Sequence, residues 1–129
     1  MIKVAVVILN WNGKKFLEKF LPEVVQHSVA CAKVFVADNA STDDSVSFLK
    51  KNFPEVEVIE NSVNGGFAKG YNDAFLKIDA EYYVLLNSDI KVTENWIQPV
   101  VELMDSDESI AACQPKICSF HEPAKFEYA

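Results

Sequence analysis

The chain has 129 residues, half of them hydrophobic, so it is long enough for one domain with its own core. Its 12 positive side chains are all lysine and it has 19 carboxylates, which gives a formal net charge of −7 without any arginine. This balance argues against nucleic-acid binding, which needs a basic surface, and it leaves a bound metal, backbone amides or lysine as the groups that could hold phosphate.

The cysteines and the apolar runs indicate the compartment. Cys31, Cys113 and Cys118 lack metal-ligand spacing, and an odd number does not suggest a disulfide framework, so we expect reduced thiols. The run from Val4 to Leu9 is too short for a signal-peptide core, and no run approaches the roughly 18 residues of a membrane span. We therefore expect a soluble, cytoplasmic protein.

The first half of the chain alternates between strand and helix patterns. Ile2 to Leu9 is rich in β-branched residues and predicts a central strand. An amphipathic helix follows, which Pro22 should kink or restart. Val34 to Ala37 is predicted as the second strand. The next helix should be capped by Ser41 and stop before Pro54.

The alternation continues through a glycine-containing segment. Val56 to Ile59 predicts a short, half-exposed strand. The loop from Asn61 to Gly66 contains paired glycines, which permit close backbone approach to a ligand. The helix after it has Gly70 in its interior, which suggests that something passes close by. Tyr82 to Leu86 is a continuous apolar run and predicts a buried strand.

The last part of the chain predicts one more helix and strand. The helix should be capped by Thr93 and disturbed by Pro99, and Ile110 to Gln114 should form a short strand. Four strand–helix alternations with short connections predict an α/β fold, a mostly parallel sheet flanked by helices. We expect a domain over residues 1–118 and a tail over residues 119–129.

Polar residues follow each of the first four predicted strands, at Asn10-Trp11, Asp38-Asn39, Asn61 to Gly66 and Asn87 to Asp89. Because the carboxyl ends of parallel strands share one edge of a sheet, we expect these clusters to line one crevice. Two of them leave alternatives open. Asn87 to Asp89 either turns the chain or presents a carboxylate to a cation, and Trp11 either packs on the first helix or stacks on a planar base.

Four blocks carry a family resemblance: Val7 to Gly13, Val36 to Asp43, Asn64 to Asn72 and Leu85 to Asp89. In order and spacing they resemble the family 2 glycosyltransferases of the GT-A fold, up to about Ile117. The Asn-Trp-Asn of the first block is most similar to a bacterial branch that includes rhamnosyltransferases of surface polysaccharides. The resemblance implies a nucleotide-diphosphate-sugar donor, either a UDP-sugar or a dTDP-sugar.

The resemblance also assigns residues around the nucleotide. Leu9, Asn10 and Trp11 would border the base, with Trp11 stacked on uracil or thymine. Asp38 would accept the hydrogen on N3 of the pyrimidine, which cytosine lacks.

Further contacts come from the later blocks. Gly66 and the segment from Lys69 to Asn72 would lie along the nucleotide. Lys69 could assist at the diphosphate, although a solvated lysine on a helix surface is the more ordinary explanation.

The last block occupies the family's DxD position. Asn87 stands where the family often has aspartate and would contact the ribose, and Ser88 would also bind the nucleotide. Asp89 would ligate Mg²⁺ or Mn²⁺ bridging the two phosphates, since these hard cations prefer carboxylate and phosphate oxygens.

The resemblance leaves the acceptor side open. It implies inverting transfer of a hexosyl-type group to the hydroxyl of a glycan or lipid-linked acceptor, with peripheral membrane association of the full enzyme. The general base is expected downstream of Ala129, so the chain looks like a donor-binding part. The alternatives are a pyrimidine-nucleotide-binding module without catalysis, and a nucleotidyltransferase of related fold, which would be expected to carry a glycine-rich loop with basic residues after its first strand.

Overall fold

The computed structural model describes residues 1–128. It divides into a compact unit over Met1–Val92 and a second that begins at Thr93, and each is described by itself. The predicted division after residue 118 stays a prediction. In the described part of the chain, no helix has the length and apolar character needed to cross a membrane.

The first unit contains seven elements in strict alternation. They are β1 (Ile2–Asn10), α1 (Lys14–Ser28), β2 (Lys33–Asp38), α2 (Ser45–Asn52), β3 (Glu57–Glu60), α3 (Gly66–Phe75) and β4 (Ala80–Asn87). The four strands form one sheet in the order β3-β2-β1-β4, and every neighbouring pair is parallel. The predicted α/β fold is confirmed, with β1 in the interior of the sheet.

The register places the strand ends level with one another. Asn10 pairs with Asp38, Asp38 pairs with Glu60, and Leu9 pairs with Asn87. The chain adds β2 and β3 on one side of β1 and then crosses to place β4 on the other side. The sheet therefore has its switch point between β1 and β4, where ligands of open α/β sheets bind beyond the carboxyl ends of the strands.

The core explains why these segments become strands and helices. Every residue of β1 from Val4 to Ile8 is buried, as is Val34 to Ala37 of β2. One face of the sheet packs on α3, whose Tyr71 and Ala74 join a cluster with Phe35. Burial of each large apolar side chain stabilises the fold by about 1.5–3 kcal/mol.

The prediction that Tyr82 to Leu86 is buried is wrong, although the strand itself is confirmed. β4 lies at an edge of the four-stranded sheet, and Leu85 is 53% exposed while Leu86 is buried. A continuous apolar run does not show whether a strand lies at the edge or in the interior of its sheet. The prediction from sequence therefore overestimated the burial of β4.

Two predictions concern the helices of the first unit. α1 is one continuous helix with Pro22 inside it, so the proline does not restart the helix, while the alternative of a kink at Pro22 stays a prediction. Ser41 is not a cap, because α2 begins at Ser45. Instead, the Asp43 carboxylate accepts hydrogen bonds from the backbone amide and hydroxyl of Ser45, at 3.0 and 2.5 Å.

The second unit contains α4 (Gln98–Ser106) and a two-stranded antiparallel sheet of β5 (Ile117–Cys118) and β6 (Phe126–Tyr128). The predicted Thr93 cap is wrong, since α4 begins at Gln98. Pro99 falls in its first turn, where the missing amide hydrogen costs little. The predicted strand from Ile110 to Gln114 is also wrong, because this stretch is irregular and pairing occurs further along the chain.

Candidate functional site

An open cleft of about 420 Å³ lies at the carboxyl edge of the first unit's sheet. Its lining comes from the ends of β1, β2 and β4, from the loop between β3 and α3, and from the first turns of α1 and α3. The lining residues are Leu9, Trp11, Phe16, Asn39, Asn64, Gly66, Phe67, Asn87, Ser88 and Asp89. The predicted convergence of four polar clusters on one crevice is confirmed, and the crevice is at the switch point of the sheet.

The predicted site residues fall into three groups. The residues in the lining are Leu9, Trp11, Gly66, Asn87, Ser88 and Asp89. Asn10 and Asp38 are buried at the ends of β1 and β2 and are not part of the lining. Lys69 and Asn72 are exposed on α3, also outside it.

Three aromatic side chains border the cleft while largely open to solvent. Trp11 is 59% exposed, Phe16 49% and Phe67 61%. The exposure of Trp11 favours the stacking explanation over packing on the first helix. Since exposed aromatic surface is unfavourable in water, these side chains suit a cleft that receives a flat, partly apolar ligand. Sequence reasoning missed Phe16 and Phe67 because their helical spacing resembles that of core positions.

Asp38 has its hydrogen-bond partners within the protein. The residue is 2% exposed, and its Oδ1 accepts from Asn10 Nδ2 at 2.8 Å and from Ser41 Oγ at 2.6 Å. Its Oδ2 accepts from the backbone amide of Ser41 at 2.9 Å. Three hydrogen bonds compensate for burial of this carboxylate. The structure thus gives Asp38 an internal role, whereas its predicted contact with a base stays a prediction.

Asn39, the next residue, lines the cleft and belongs to a chain of side-chain amides. Its Nδ2 donates to Asn64 Oδ1 at 2.9 Å and to the Gly66 carbonyl at 3.1 Å. Its Oδ1 accepts from Asn61 Nδ2 at 3.2 Å. Both amide hydrogens of Asn39 are therefore used, and Oδ1 keeps one lone pair for a further donor. The chain of amides ties the end of β2 to the loop that carries Gly66.

The helical glycine confirms the close approach that the sequence suggested. A Cβ at Gly70 would lie 2.7 Å from Leu9 Cδ1 and 3.0 Å from Asn39 Nδ2. Both of those residues line the cleft. Glycine at this position lets α3 pack directly beneath the cleft.

The end of β4 forms the acidic corner of the cleft. Asp89 is exposed there, and it is the one carboxylate among the lining residues. Within residues 1–128, no group of three acidic, histidine or cysteine side chains could hold a metal ion. A cation at Asp89 would need other ligands from a bound molecule, such as phosphate oxygens, and the predicted metal role of Asp89 stays a prediction.

Lys69 and Tyr71, which belong to the segment predicted to lie along the nucleotide, both have partners within the protein. Lys69 Nζ pairs with Asp73 of the same helix at 2.6 Å, which is the ordinary surface explanation for this lysine. Tyr71 lies buried below the cleft, and its hydroxyl donates to the Leu86 carbonyl at 3.0 Å. Burial raises the pKa of Tyr71 to about 12, although a hydrogen bond with the backbone of Leu9 acts in the opposite direction.

Fold and cleft together define an α/β domain of the kind that binds a ligand at the switch point of a parallel sheet. Residues 5–128 match the family model described as Glycosyl transferase family 2. The match covers nearly the whole sequence, and the chain belongs to this family. The resemblance predicted from the four sequence blocks is confirmed.

Two curated relatives are much longer than this chain. A poly(ribitol-phosphate) beta-glucosyltransferase of Bacillus spizizenii is 31% identical over 94 residues, which are 68% of this chain and 15% of the relative. An uncharacterized glycosyltransferase of Nostoc sp. is 21% identical over 112 residues, which are 84% of this chain and 35% of the relative. The chain thus spans about a seventh to a third of the length of these relatives.

Solved structures share the fold. Residues 1–349 of S. aureus TarS, in complex with UDP-GlcNAc, give a TM-score of 0.71 at 17% identity, over 94% of this chain and 42% of that chain. The mannosyltransferase PcManGT from Pyrobaculum calidifontis, in complex with GDP-Man and Mn²⁺, gives 0.71 at 20% identity, over 91% and 35% respectively. The architecture is that of GT-A glycosyltransferases.

Proposed function

We propose that this chain is the donor-binding part of a glycosyltransferase and that its cleft holds a UDP- or dTDP-sugar. One observation carries the proposal: the switch-point cleft has an exposed indole, Trp11, after β1 and a carboxylate, Asp89, after β4. The indole would stack on the base at one end of the donor, and the carboxylate would hold a cation that binds the diphosphate at the other end. The family membership and the neighbour structures, TarS with UDP-GlcNAc and PcManGT with GDP-Man, support a nucleotide-sugar donor, and the choice of a pyrimidine base is our proposal.

The base is proposed to stack on Trp11 and to be selected by Asn39. The resemblance assigned that selection to Asp38, and we propose its neighbour Asn39 instead, because Asn39 is part of the cleft lining and Asp38 is not, although both are 2% exposed. Both amide hydrogens of Asn39 are engaged and its Oδ1 accepts one hydrogen bond from Asn61, so the remaining lone pair of Oδ1 is the acceptor proposed for the base. Uracil and thymine carry a hydrogen on N3 that such an acceptor would bind, whereas cytosine does not. Asp38 would then act indirectly, through Asn10 and Ser41.

The diphosphate is proposed to lie towards the end of β4. Asn87 and Ser88 would contact the ribose, Gly66 would border the nucleotide, and Lys69 and Asn72 would lie further along it. Asp89 would hold Mg²⁺ or Mn²⁺ together with phosphate oxygens. When bound, such a cation acts as a Lewis acid that stabilises charge on the leaving diphosphate.

The reaction proposed for the complete enzyme is inverting glycosyl transfer, which we place in surface polysaccharide synthesis. The bond between the anomeric carbon and the diphosphate oxygen breaks, and the acceptor hydroxyl oxygen bonds to that carbon. The acceptor proton passes to a general base, and the nucleoside diphosphate leaves with the electron pair of the broken bond. The resemblance places that base, a carboxylate, downstream of Asn87-Ser88-Asp89.

Calorimetric titration with UDP and dTDP, each with Mn²⁺ or with EDTA, tests donor binding. We expect both nucleotides to bind more tightly with Mn²⁺, Trp11→Ala to weaken binding roughly tenfold or more through lost stacking, and Asp89→Ala to abolish the effect of Mn²⁺. Leu76→Ala is the control, because Leu76 is exposed outside the cleft lining. If neither UDP nor dTDP binds, the proposal fails.

The second candidate is a pyrimidine-nucleotide-binding module without catalysis. The single carboxylate in the cleft lining favours it, because Asn87 replaces a possible second metal ligand. Both candidates predict UDP binding, but a module does not need Mn²⁺ for it. Binding of UDP with equal affinity in Mn²⁺ and in EDTA would support the module and contradict the donor site.

A further inference from the structure

The turn after β1 and the loop after β2 are joined by side-chain hydrogen bonds. Asn12 Oδ1 accepts from the backbone amides of Thr42 at 2.7 Å and Asp43 at 3.2 Å. The backbone amide of Asn12 donates a hydrogen bond to Ser41 Oγ at 2.9 Å. Ser41 Oγ also accepts from Asn10 Nδ2 at 3.2 Å and donates to Asp38 Oδ1. We call Asn12 and Ser41, with these bonds, the turn clasp.

The hydroxyl of Ser41, at the centre of the turn clasp, has all of its hydrogen-bonding capacity satisfied. One hydroxyl has one hydrogen and two lone pairs, and Ser41 Oγ donates once and accepts twice. The backbone on both sides has an uncommon conformation, since φ is +50° at Asn12 and +59° at Ala40. Such conformations persist only where surrounding contacts hold them, and the clasp supplies those contacts.

Trp11 stands between the two asparagines that the clasp holds. Its side chain is mostly exposed, so packing does little to fix the direction of the indole. The backbone on either side must do so instead: Asn10 is fully buried at the end of β1, and Asn12 is bonded to the loop after β2. A stacking surface that is already in place binds its ligand without a further ordering cost.

We propose that Asn12 and Ser41 are positioning residues that hold Trp11 ready to stack on the nucleotide base. This inference rests on the proposed function, because it needs a base in the cleft. The competing explanation is that the clasp only stabilises the fold. The two differ in what they predict for variants that remain folded: a positioning role changes nucleotide affinity and the mobility of Trp11, and a purely structural role changes neither.

The test uses a Trp96→Phe background, which leaves Trp11 as the single tryptophan of the chain. Ser41→Ala removes the central hydroxyl, and Ser41→Thr keeps it. Asn12→Gly removes the acceptor but tolerates the positive φ, whereas Asn12→Asp keeps an acceptor at the same place. Ser47→Ala is the matched control, because its hydroxyl bonds only to the nearby Asp44 carbonyl, outside the clasp. Thermal unfolding checks that each variant is folded.

The affinity for UDP is measured in the presence of Mn²⁺ by quenching of Trp11 fluorescence. For Ser41→Ala and Asn12→Gly we expect a Kd raised about fivefold or more by the lost preorganisation. Ser41→Thr, Asn12→Asp and Ser47→Ala should stay within about twofold of the background protein. If Ser41→Ala and Asn12→Gly remain folded and bind UDP as the background does, the inference is wrong.

Fluorescence anisotropy without nucleotide separates the inference from the proposed function. Ser41→Ala and Asn12→Gly should lower the Trp11 anisotropy even before UDP is added, and the Ser47→Ala control should not. If the background protein fails to bind UDP, the proposed function is wrong, while the anisotropy still shows whether the clasp orders Trp11. Unchanged anisotropy in both clasp variants would overturn the inference independently.

Discussion

Two glycines at α3 show how neighbouring atoms decide which residue a position accepts. A side chain at Gly70 would meet Leu9 and Asn39, which are held in place by β1 and by the chain of amides. The three atoms nearest to a side chain at Gly65 are Cδ, Cγ and Cβ of Lys69, an exposed residue whose side chain can change rotamer. The first contact is rigid and lies beneath the cleft, and the second can move away.

We predict that Gly70→Ala lowers the free energy of unfolding by about 1–3 kcal/mol, because Leu9 and Asn39 must shift to make room. Gly65→Ala should change it by less than about 1 kcal/mol. Urea denaturation followed by circular dichroism measures both values. Equal effects of the two substitutions would show that the packing beneath the cleft is less rigid than described.

At the scale of elements, α3 is bonded to β4 through a buried phenol. Tyr71 donates to the Leu86 carbonyl, and burial raises the pKa of Tyr71 to about 12 from an ordinary value of 10.0. A raised pKa for an acid means that the folded state favours the neutral form. The contribution of neutral Tyr71 to the free energy of unfolding is therefore complete below pH 10 and is lost as the pH rises through about 12.

We predict that absorbance at 295 nm shows a tyrosine that ionises about two pH units later than the ordinary value, and that this late step is missing from Tyr71→Phe. Tyr71→Phe should also lower the free energy of unfolding at pH 7 by about 1 kcal/mol, through the lost hydrogen bond. An unchanged late step in the variant would mean that another tyrosine is responsible.

At the scale of the whole molecule, the alternation of strand and helix patterns predicted the α/β fold, and polar residues after the strands predicted the cleft. Other features depend on neighbours distant in sequence. The exposure of Leu85 depends on the edge position of β4, and the choice between Asp38 and Asn39 depends on which of them Asn10 and Ser41 contact. Sequence spacing contains neither kind of information.

The most direct test of the donor site is a two-dimensional ¹H–¹⁵N NMR titration of the chain with UDP and Mg²⁺. We predict that the largest shifts occur at the Trp11 indole, the Asn39 side-chain amide and the backbone amides of Gly66 and Asn87 to Asp89. Leu76, outside the cleft lining, should not respond. A spectrum unchanged by UDP, or shifts confined to residues away from the cleft, would contradict the account.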